Sequence, residues 1–236
     1  GRGIRGPPEA LMPEPLPPLA GVQARIIAAA RRAGRDPASI TLLAVSKRQS
    51  PAAIRALATV GQLAFGENYL QEALGKQAAL QDLALDWHFI GRIQRNKTRD
   101  IARAFSWAHT IDRREVAERL SAQRPPGLAP LQCLIEVNVS GEDSKGGVAP
   151  AALPALAREM SGMAGLSLRG LMCLPAPASD FEAQRAPFRR LRELRDSLGL
   201  PGLDVLSMGT SADFEAAIVE GATLIRIGTA LFGARA

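Results

Sequence analysis

From Ile40 onward, short β-prone runs alternate with helical segments, and the alternation continues to the end of the chain. The runs cover 40–46, 63–66, 87–91, 107–111, 131–137, 168–173, 205–208 and 224–227. Helical patterns fill 51–60, 69–82, 96–105, 113–123, 149–162, 181–198 and 212–220, and a short last one starts at Ala230. Some open on start signals, such as Ser50 before Pro51 and Asp112 ahead of Glu115. Such alternation implies parallel strands joined by right-handed crossovers. The eighth unit finishes the chain, and 236 residues suit a fold that typically takes ~250. The expected fold is therefore α/β, a single (β/α)8 TIM barrel, in preference to an open doubly wound sheet. No glycine-rich dinucleotide fingerprint follows the first run to favour that rival.

Residues 1–18 carry six prolines, among them Pro7, Pro8, Pro13 and Pro15, and are expected to form a tail. The segment has no apolar core of a secretory signal. Residues 1–11 precede a candidate native start at Met12 or belong to a presequence. A helix is expected from Leu19 to Arg32, so the barrel domain with its added N-terminal helix spans 19–236.

With 47% hydrophobic but only 4% aromatic residues, aliphatic side chains must fill the core. No window approaches 18 uninterrupted apolar residues, which excludes a spanning helix and a membrane role of that kind. The net charge of +6 raises a nucleic-acid reading, but the arginines are scattered rather than gathered in a tract, so no nucleic-acid partner is expected. Lysine is scarce: Lys47, Lys76, Lys97 and Lys145 are the full set. A lysine kept at a special position points to a need for an amine, since only lysine can lose its proton and form an imine. Cys133 and Cys173 lie in apolar runs and read as buried thiols of a reducing compartment, which places the protein in the cytoplasm. His88 and His109 share no ligand spacing, so no metal is expected.

In a barrel of this kind chemistry collects at the C-terminal strand ends. Here those ends are polar: Ser46 and Lys47, Glu67 and Asn68, His88 and Gly91, His109 and Asp112, Glu136 and Asn138, Gly209 to Ser211, and Arg226 to Thr229. Lys47 is either a rim lysine in water or an amine whose pKa the interior lowers, ready to add to an aldehyde. Ser211 and Thr229 follow glycines between a strand end and a helix start, where they would cap a helix or help to hold a phosphate. Arg226 interrupts an apolar strand and would either pair with Glu67 or Glu136 or face a ligand. An amine opposite a phosphate grip suggests a phosphorylated aldehyde.

The segments LLAVSK (42–47), FGENYLQE (65–72), WHFIGRIQRNK (87–97), HTID (109–112), SKGG (144–147), RGLMCLP (169–175), SMGTSADFEAAI (207–218) and RIGTALFGAR (226–235) resemble the pyridoxal phosphate homeostasis family in order and content. The resemblance implies an alanine-racemase-type barrel that binds pyridoxal 5′-phosphate, with Lys47 forming the internal aldimine. It implies Ser211, Gly228 and Thr229 at the phosphate and Arg226 facing the pyridine nitrogen. Asn68 and His88 are expected to line the pocket. Lys145 would be a second lysine near the mouth or a solvent-exposed loop lysine. Where that family has methionine this chain has Thr210, which either adds a hydroxyl near the phosphate or alters packing.

Two function classes follow. The first is a carrier that holds the cofactor as a Schiff base and buffers it or delivers it to apo-forms of pyridoxal phosphate enzymes, as a monomer and without racemase activity. The second is a pyridoxal phosphate-dependent amino-acid racemase-like enzyme. Racemases resembling this barrel add a β-rich domain that supplies a catalytic tyrosine, whereas the one tyrosine here, Tyr69, follows the second strand.

Overall fold

The structure is a computed structural model that describes residues 16–141 and 146–233. Helix α1 (Pro17–Arg32) comes first and stands outside the repeat. Eight strands then close into one parallel barrel in sequence order: β1 (Thr41–Val45), β2 (Ala64–Glu67), β3 (Asp86–Phe89), β4 (Trp107–Ile111), β5 (Leu131–Glu136), β6 (Leu166–Met172), β7 (Val205–Ser207) and β8 (Leu224–Ile227). β8 returns to β1 with Arg226 opposite Leu43 and Ile227 opposite Ala44. Each strand is followed by its helix: α2 (Pro51–Thr59), α3 (Leu70–Ala79), α4 (Thr98–Ala104), α5 (Arg114–Gln123), α6 (Leu153–Ser161), α7 (Phe181–Ser197), α8 (Phe214–Val219) and α9 (Thr229–Phe232). The expected barrel with an additional N-terminal helix is the fold observed.

The two faces of each strand carry different cores, as a period of two requires. Outward residues such as Ala44, Phe65, Phe89, Cys133, Leu206 and Ile225 join the large cluster beneath the helices. Inward residues, among them Leu43, Ile90, Leu134, Met172, Val205 and Leu224, form a small separate cluster in the lumen. That lumen cluster is short of apolar side chains because polar groups share the space with it. On the outside, α1 buries Leu19, Val22, Ile26, Ala29 and Ala30 along one helical stripe against α8 and α9. Each large side chain so buried contributes roughly 1.5–3 kcal/mol. Arg25 locks this contact, pairing with Glu215 at 2.8 Å and lying over the Phe214 ring.

Element edges moved for identifiable reasons. Pro17 and Pro18, expected in the tail, form the first turn of α1, where a missing N–H costs nothing. Ser50 caps α2 as expected, accepting from Ala53 N–H. Asp112 does not cap α5; Arg113 is the residue before it, and Asp112 binds the Arg113 guanidinium instead. β6 starts at Leu166 rather than 168, and the helix expected over 149–162 begins at Leu153, with Pro154 in its first turn. The helix expected over 96–105 opens as a 3-10 turn at Arg95–Lys97 before α4, and the one expected over 69–82 ends at Ala79.

Candidate functional site

The C-terminal strand ends surround a cavity of about 300 Å³. Lys47, Gln49, Asn68, Ser211, Arg226 and Thr229 supply its polar lining, and Val45, Ile90, Met172 and Leu174 its apolar walls. Of the residues expected at a binding site, Lys47, Asn68, Ser211, Arg226, Gly228 and Thr229 thus meet at one place. Lys145 lies outside the described residues.

Lys47 stands two residues past the end of β1, and its half-buried side chain has no hydrogen-bond partner among the described residues. The backbone around it is held firmly. The Ser46 carbonyl accepts from Lys76 Nζ at 2.6 Å, and the Ser46 hydroxyl donates to Glu67 Oε1 at 2.6 Å. On the other side, Arg48 N–H donates to the Glu72 carboxylate. Arg48 adopts φ of 61°, a left-handed conformation uncommon for a residue with a side chain. Lys76 Nζ bridges both carboxylates, Glu67 at 2.7 Å and Glu72 one helical turn away. Lys76 and Glu67 are 5% and 0% exposed, so this is a buried charge cluster. Burial pushes the Glu67 carboxyl above its usual range, against the opposing pull of Lys76 and Ser46.

Arg226 reaches into the lumen from β8 and is almost fully buried. It pairs with neither Glu67 nor Glu136. Its Nη1 donates to the Ser207 hydroxyl at 2.7 Å and its Nη2 to the Cys173 carbonyl at 2.9 Å. A guanidinium has five N–H groups, so three are without an acceptor among the described residues, and Arg226 lines the cavity. Burial lowers its pKa, opposed by Cys173, Asp213 and Glu136, yet an arginine stays charged throughout.

Neither Ser211 nor Thr229 caps a helix with its side chain. α8 starts only at Phe214 and α9 starts at Thr229 after Gly228, and no side-chain cap is formed at either. The first N–H groups of such turns lack partners within the helix and favour an anion. Thr210, whose hydroxyl was expected near a phosphate or in packing, is turned to Asp213, which accepts from both its N–H and its hydroxyl. Gly91 brings Asn68 into place, since a Cβ there would lie 2.1 Å from the Asn68 carbonyl oxygen. Asn68 Oδ1 is buried at this point with no hydrogen-bond partner among the described residues.

His88 does not line the cavity. A polar residue near a strand end is expected at the mouth, but Ile90 stands two residues further along the same face and takes that place. His88 lies deeper, between Asp86 and His109, beside a second cavity of about 450 Å³ at the opposite end of the barrel. Tyr69 is half-exposed and stacks under Arg48 outside the main cavity. Both cysteines are buried free thiols, and burial pushes Cys173 up to about 12. No group of metal-ligating side chains occurs among the described residues, and no described helix is long and apolar enough to cross a membrane. Sequence reading passed over Lys76, Glu72, Ser207 and Asp86. Only the scarcity of lysine could have singled out one of them.

Comparison with known proteins agrees with this geometry. The alanine racemase N-terminal domain family matches residues 20–236. The pyridoxal phosphate homeostasis protein of Pseudomonas aeruginosa is 61% identical over 217 residues, which is 92% of this chain and 94% of that protein. Its namesake in Escherichia coli is 48% identical over 222 residues, 92% of this chain and 95% of that one. PipY of Synechococcus elongatus, solved with pyridoxal phosphate bound, superposes with a TM-score of 0.78 at 36% identity, over 89% of this chain and all of PipY. Alanine racemase of Corynebacterium glutamicum, at 18% identity and a TM-score of 0.64 over 90% of this chain and 60% of that one, shares the fold. With a relative this similar along nearly its whole length, the chain belongs to the pyridoxal phosphate homeostasis protein family, built on the alanine racemase N-terminal barrel.

Proposed function

We propose that this protein binds pyridoxal 5′-phosphate, holds it as a Schiff base on Lys47, and serves to buffer or deliver the cofactor without turning over amino acids. The observation that carries the reading is the meeting, in one cavity, of an amine with no partner among the described residues, a buried guanidinium and two glycine-hydroxyl turns at strand ends. The residues fit the group: Asn68 Oδ1 and Arg226 N–H groups, without partners among the described residues, are polar atoms to which a flat, polar ring would offer a donor and an acceptor. Binding of the same cofactor by PipY supports the assignment. When bound, the cofactor supplies an aldehyde carbon to the amine, and the imine forms with loss of water. Ser211, Gly228 and Thr229 would hold the phosphate. Arg226 has no readily transferable proton for the ring nitrogen, which leaves the ring a weak electron sink.

Racemisation needs two proton carriers on opposite faces of the substrate carbon. Among the described residues the cavity wall offers Lys47 and the permanently charged Arg226, while Tyr69 lies elsewhere. This favours the carrier over the racemase-like reading. The names of the relatives favour it too. The reading extends to a cytoplasmic monomer that supplies apo-forms of pyridoxal phosphate enzymes; the free thiols support the compartment.

Purified protein given pyridoxal phosphate should absorb in the visible, and borohydride should fix one cofactor per chain by intact mass. Lys47→Ala should abolish that adduct. An absent adduct, or one that survives Lys47→Ala, overturns the proposal. Loss of α-deuterium from amino acids at enzyme-like rates would replace the carrier with the enzyme.

A further inference from the structure

Beneath the main cavity the lumen is crossed by a continuous hydrogen-bonded string. Arg226 Nη1 meets Ser207 Oγ at 2.7 Å. Ser207 Oγ meets His109 Nδ1 at 3.0 Å. His109 Nε2 meets His88 Nδ1 at 2.9 Å, and His88 Nε2 meets Asp86 Oδ2 at 3.0 Å. The string starts at the cavity wall on β8, passes through β7 and β4, and ends on β3 at the opposite opening, where Asp86 is half-exposed. The Ser106 hydroxyl completes the end by donating to the other oxygen of Asp86.

The chemistry of its two ends sets the direction of every bond. Arg226 can only donate, and the Asp86 carboxylate can only accept. His88 must therefore carry its proton on Nε2. A neutral imidazole has one such proton, so His88 Nδ1 accepts and the proton between the rings belongs to His109 Nε2. His109 Nδ1 is then a lone pair, which takes the Ser207 hydroxyl proton and leaves the Ser207 oxygen facing Arg226. Burial favours the neutral form of both rings, most strongly at His109, where the charge of Arg226 adds to it. All four bonds donate from the mouth toward the floor. The other ring tautomers would leave a proton opposed to a proton at one of the junctions.

We propose that Ser207, His109, His88 and Asp86 are positioning residues for Arg226, forming a one-way hydrogen-bonded string that links the carboxylate at the barrel floor to the guanidinium at the cofactor cavity. The inference rests on the cavity being the pyridoxal phosphate site only for what Arg226 faces; the string itself exists without cofactor. Arg226 makes no ion pair among the described residues; Asp213 and Glu136 act on it only through space, and the string fixes its direction. Asp86 fixes the polarity of the string as its terminal acceptor, and three neutral groups pass that polarity on to Arg226. The rigid rings set where Ser207 stands, and Ser207 sets one branch of the guanidinium, so the remaining N–H groups keep a constant aim.

The protein has two histidines and both belong to the string, so the imidazole nitrogen spectrum of ¹⁵N-labelled protein reports on it alone. At neutral pH and without cofactor, both rings should be neutral Nε2–H tautomers. An Nδ1–H tautomer at either ring overturns the proposal. In Asp86→Ala the tautomers should become mixed, a change that packing alone would not produce. With pyridoxal phosphate added, Ser207→Ala should shift the visible absorption maximum and weaken binding about three- to tenfold, the worth of one net hydrogen bond. Ser207→Thr, which keeps the hydroxyl, should restore both. Wild-type spectrum and affinity in Ser207→Ala would overturn the positioning role, and Asp86→Ala serves as the second variant if Ser207→Ala folds poorly. An absent borohydride adduct in the wild type would refute the cofactor reading while the nitrogen spectrum still decides the string.

Discussion

The two cations that face the cavity are held in opposite ways. Around Lys47 the grip is on the backbone: Lys76 takes the Ser46 carbonyl, and Glu72 takes the Arg48 N–H. The Lys47 amine is left without a partner among the described residues. Around Arg226 the grip is on the side chain, through Ser207 and the Cys173 carbonyl. The first arrangement uses full charges in contact, packed behind the strand. The second uses neutral groups in series inside the barrel. The contrast matches the two tasks. An amine that must form and release a bond cannot itself be tied down, so its segment is tied instead. A guanidinium that stays charged and makes no covalent bond can be fixed at its own nitrogens.

The largest effect expected from this contrast lies in the charge cluster. Lys76→Met removes the cation between two carboxylates and leaves Glu67, fully buried, uncompensated. Breaking a buried pair in this way costs about 3–5 kcal/mol, measured as a fall in the urea unfolding midpoint. Adding Glu67→Gln to Lys76→Met should recover a good part of it. Ser207→Ala breaks a neutral link and should cost about 1–3 kcal/mol. A larger loss from Ser207→Ala than from Lys76→Met would erase the distinction between a charged anchor and a neutral string.

The regions should also separate by pH. Glu67 has a folded pKa above its unfolded value, chiefly because burial disfavours the charge. It binds its proton more tightly when folded, so its contribution to stability is full below the ordinary glutamate range and is lost as pH rises through the raised value. Asp86 is the reverse. Burial disfavours its charge, but the hydrogen bonds from the His88 N–H and the Ser106 hydroxyl outweigh this and hold the carboxyl below its usual range. Its contribution is present above the ordinary aspartate range and is lost as pH falls through the lowered value. Unfolding midpoints followed from acid to neutral pH should therefore decline less on the alkaline side in Glu67→Gln, and less on the acid side in Asp86→Asn. Equal slopes in both variants would mean that the two carboxylates share one environment.

These two regions also mark where sequence reading reached its limit. The barrel was legible because alternating apolar runs and helical stripes are local patterns, and each needs only its own few residues. The cavity was legible in the same way, since Lys47, Asn68, Ser211 and Arg226 stand at strand ends. The supports behind it were not. Lys76 and Glu72 are a helical i, i+4 pair, a spacing that ordinarily decorates a wet surface. Lys76 is instead buried, with its amine on the Ser46 carbonyl 30 residues away in the chain. His88 and Ser207 meet through His109, which is 98 residues from Ser207. The β4 register shift between Ala108 and Ile111, beside His109, carries no sequence mark. His88 itself was placed at the mouth because it is polar, whereas the two-residue repeat of the strand gives that place to Ile90.

The smallest effect tests whether the segment after Lys47 is held by the charge cluster or by the helix that follows it. α2 begins three residues past Arg48, and the Ser50 hydroxyl caps it by accepting from Ala53 N–H at 3.2 Å. Ser50→Ala removes that cap and should cost about 1 kcal/mol, as such losses generally do. If the cluster is the anchor, the backbone at Ser46 and Arg48 keeps its partners in this variant. The rate of borohydride-trappable imine formation on Lys47 should then match the wild type, although the unfolding midpoint falls. Glu72→Gln is the complementary change: it weakens the acceptor for Arg48 N–H, so the strained left-handed turn is less firmly held and imine formation should become slower. A slowed reaction in Ser50→Ala, with none in Glu72→Gln, would move the anchor from the charges to the helix cap.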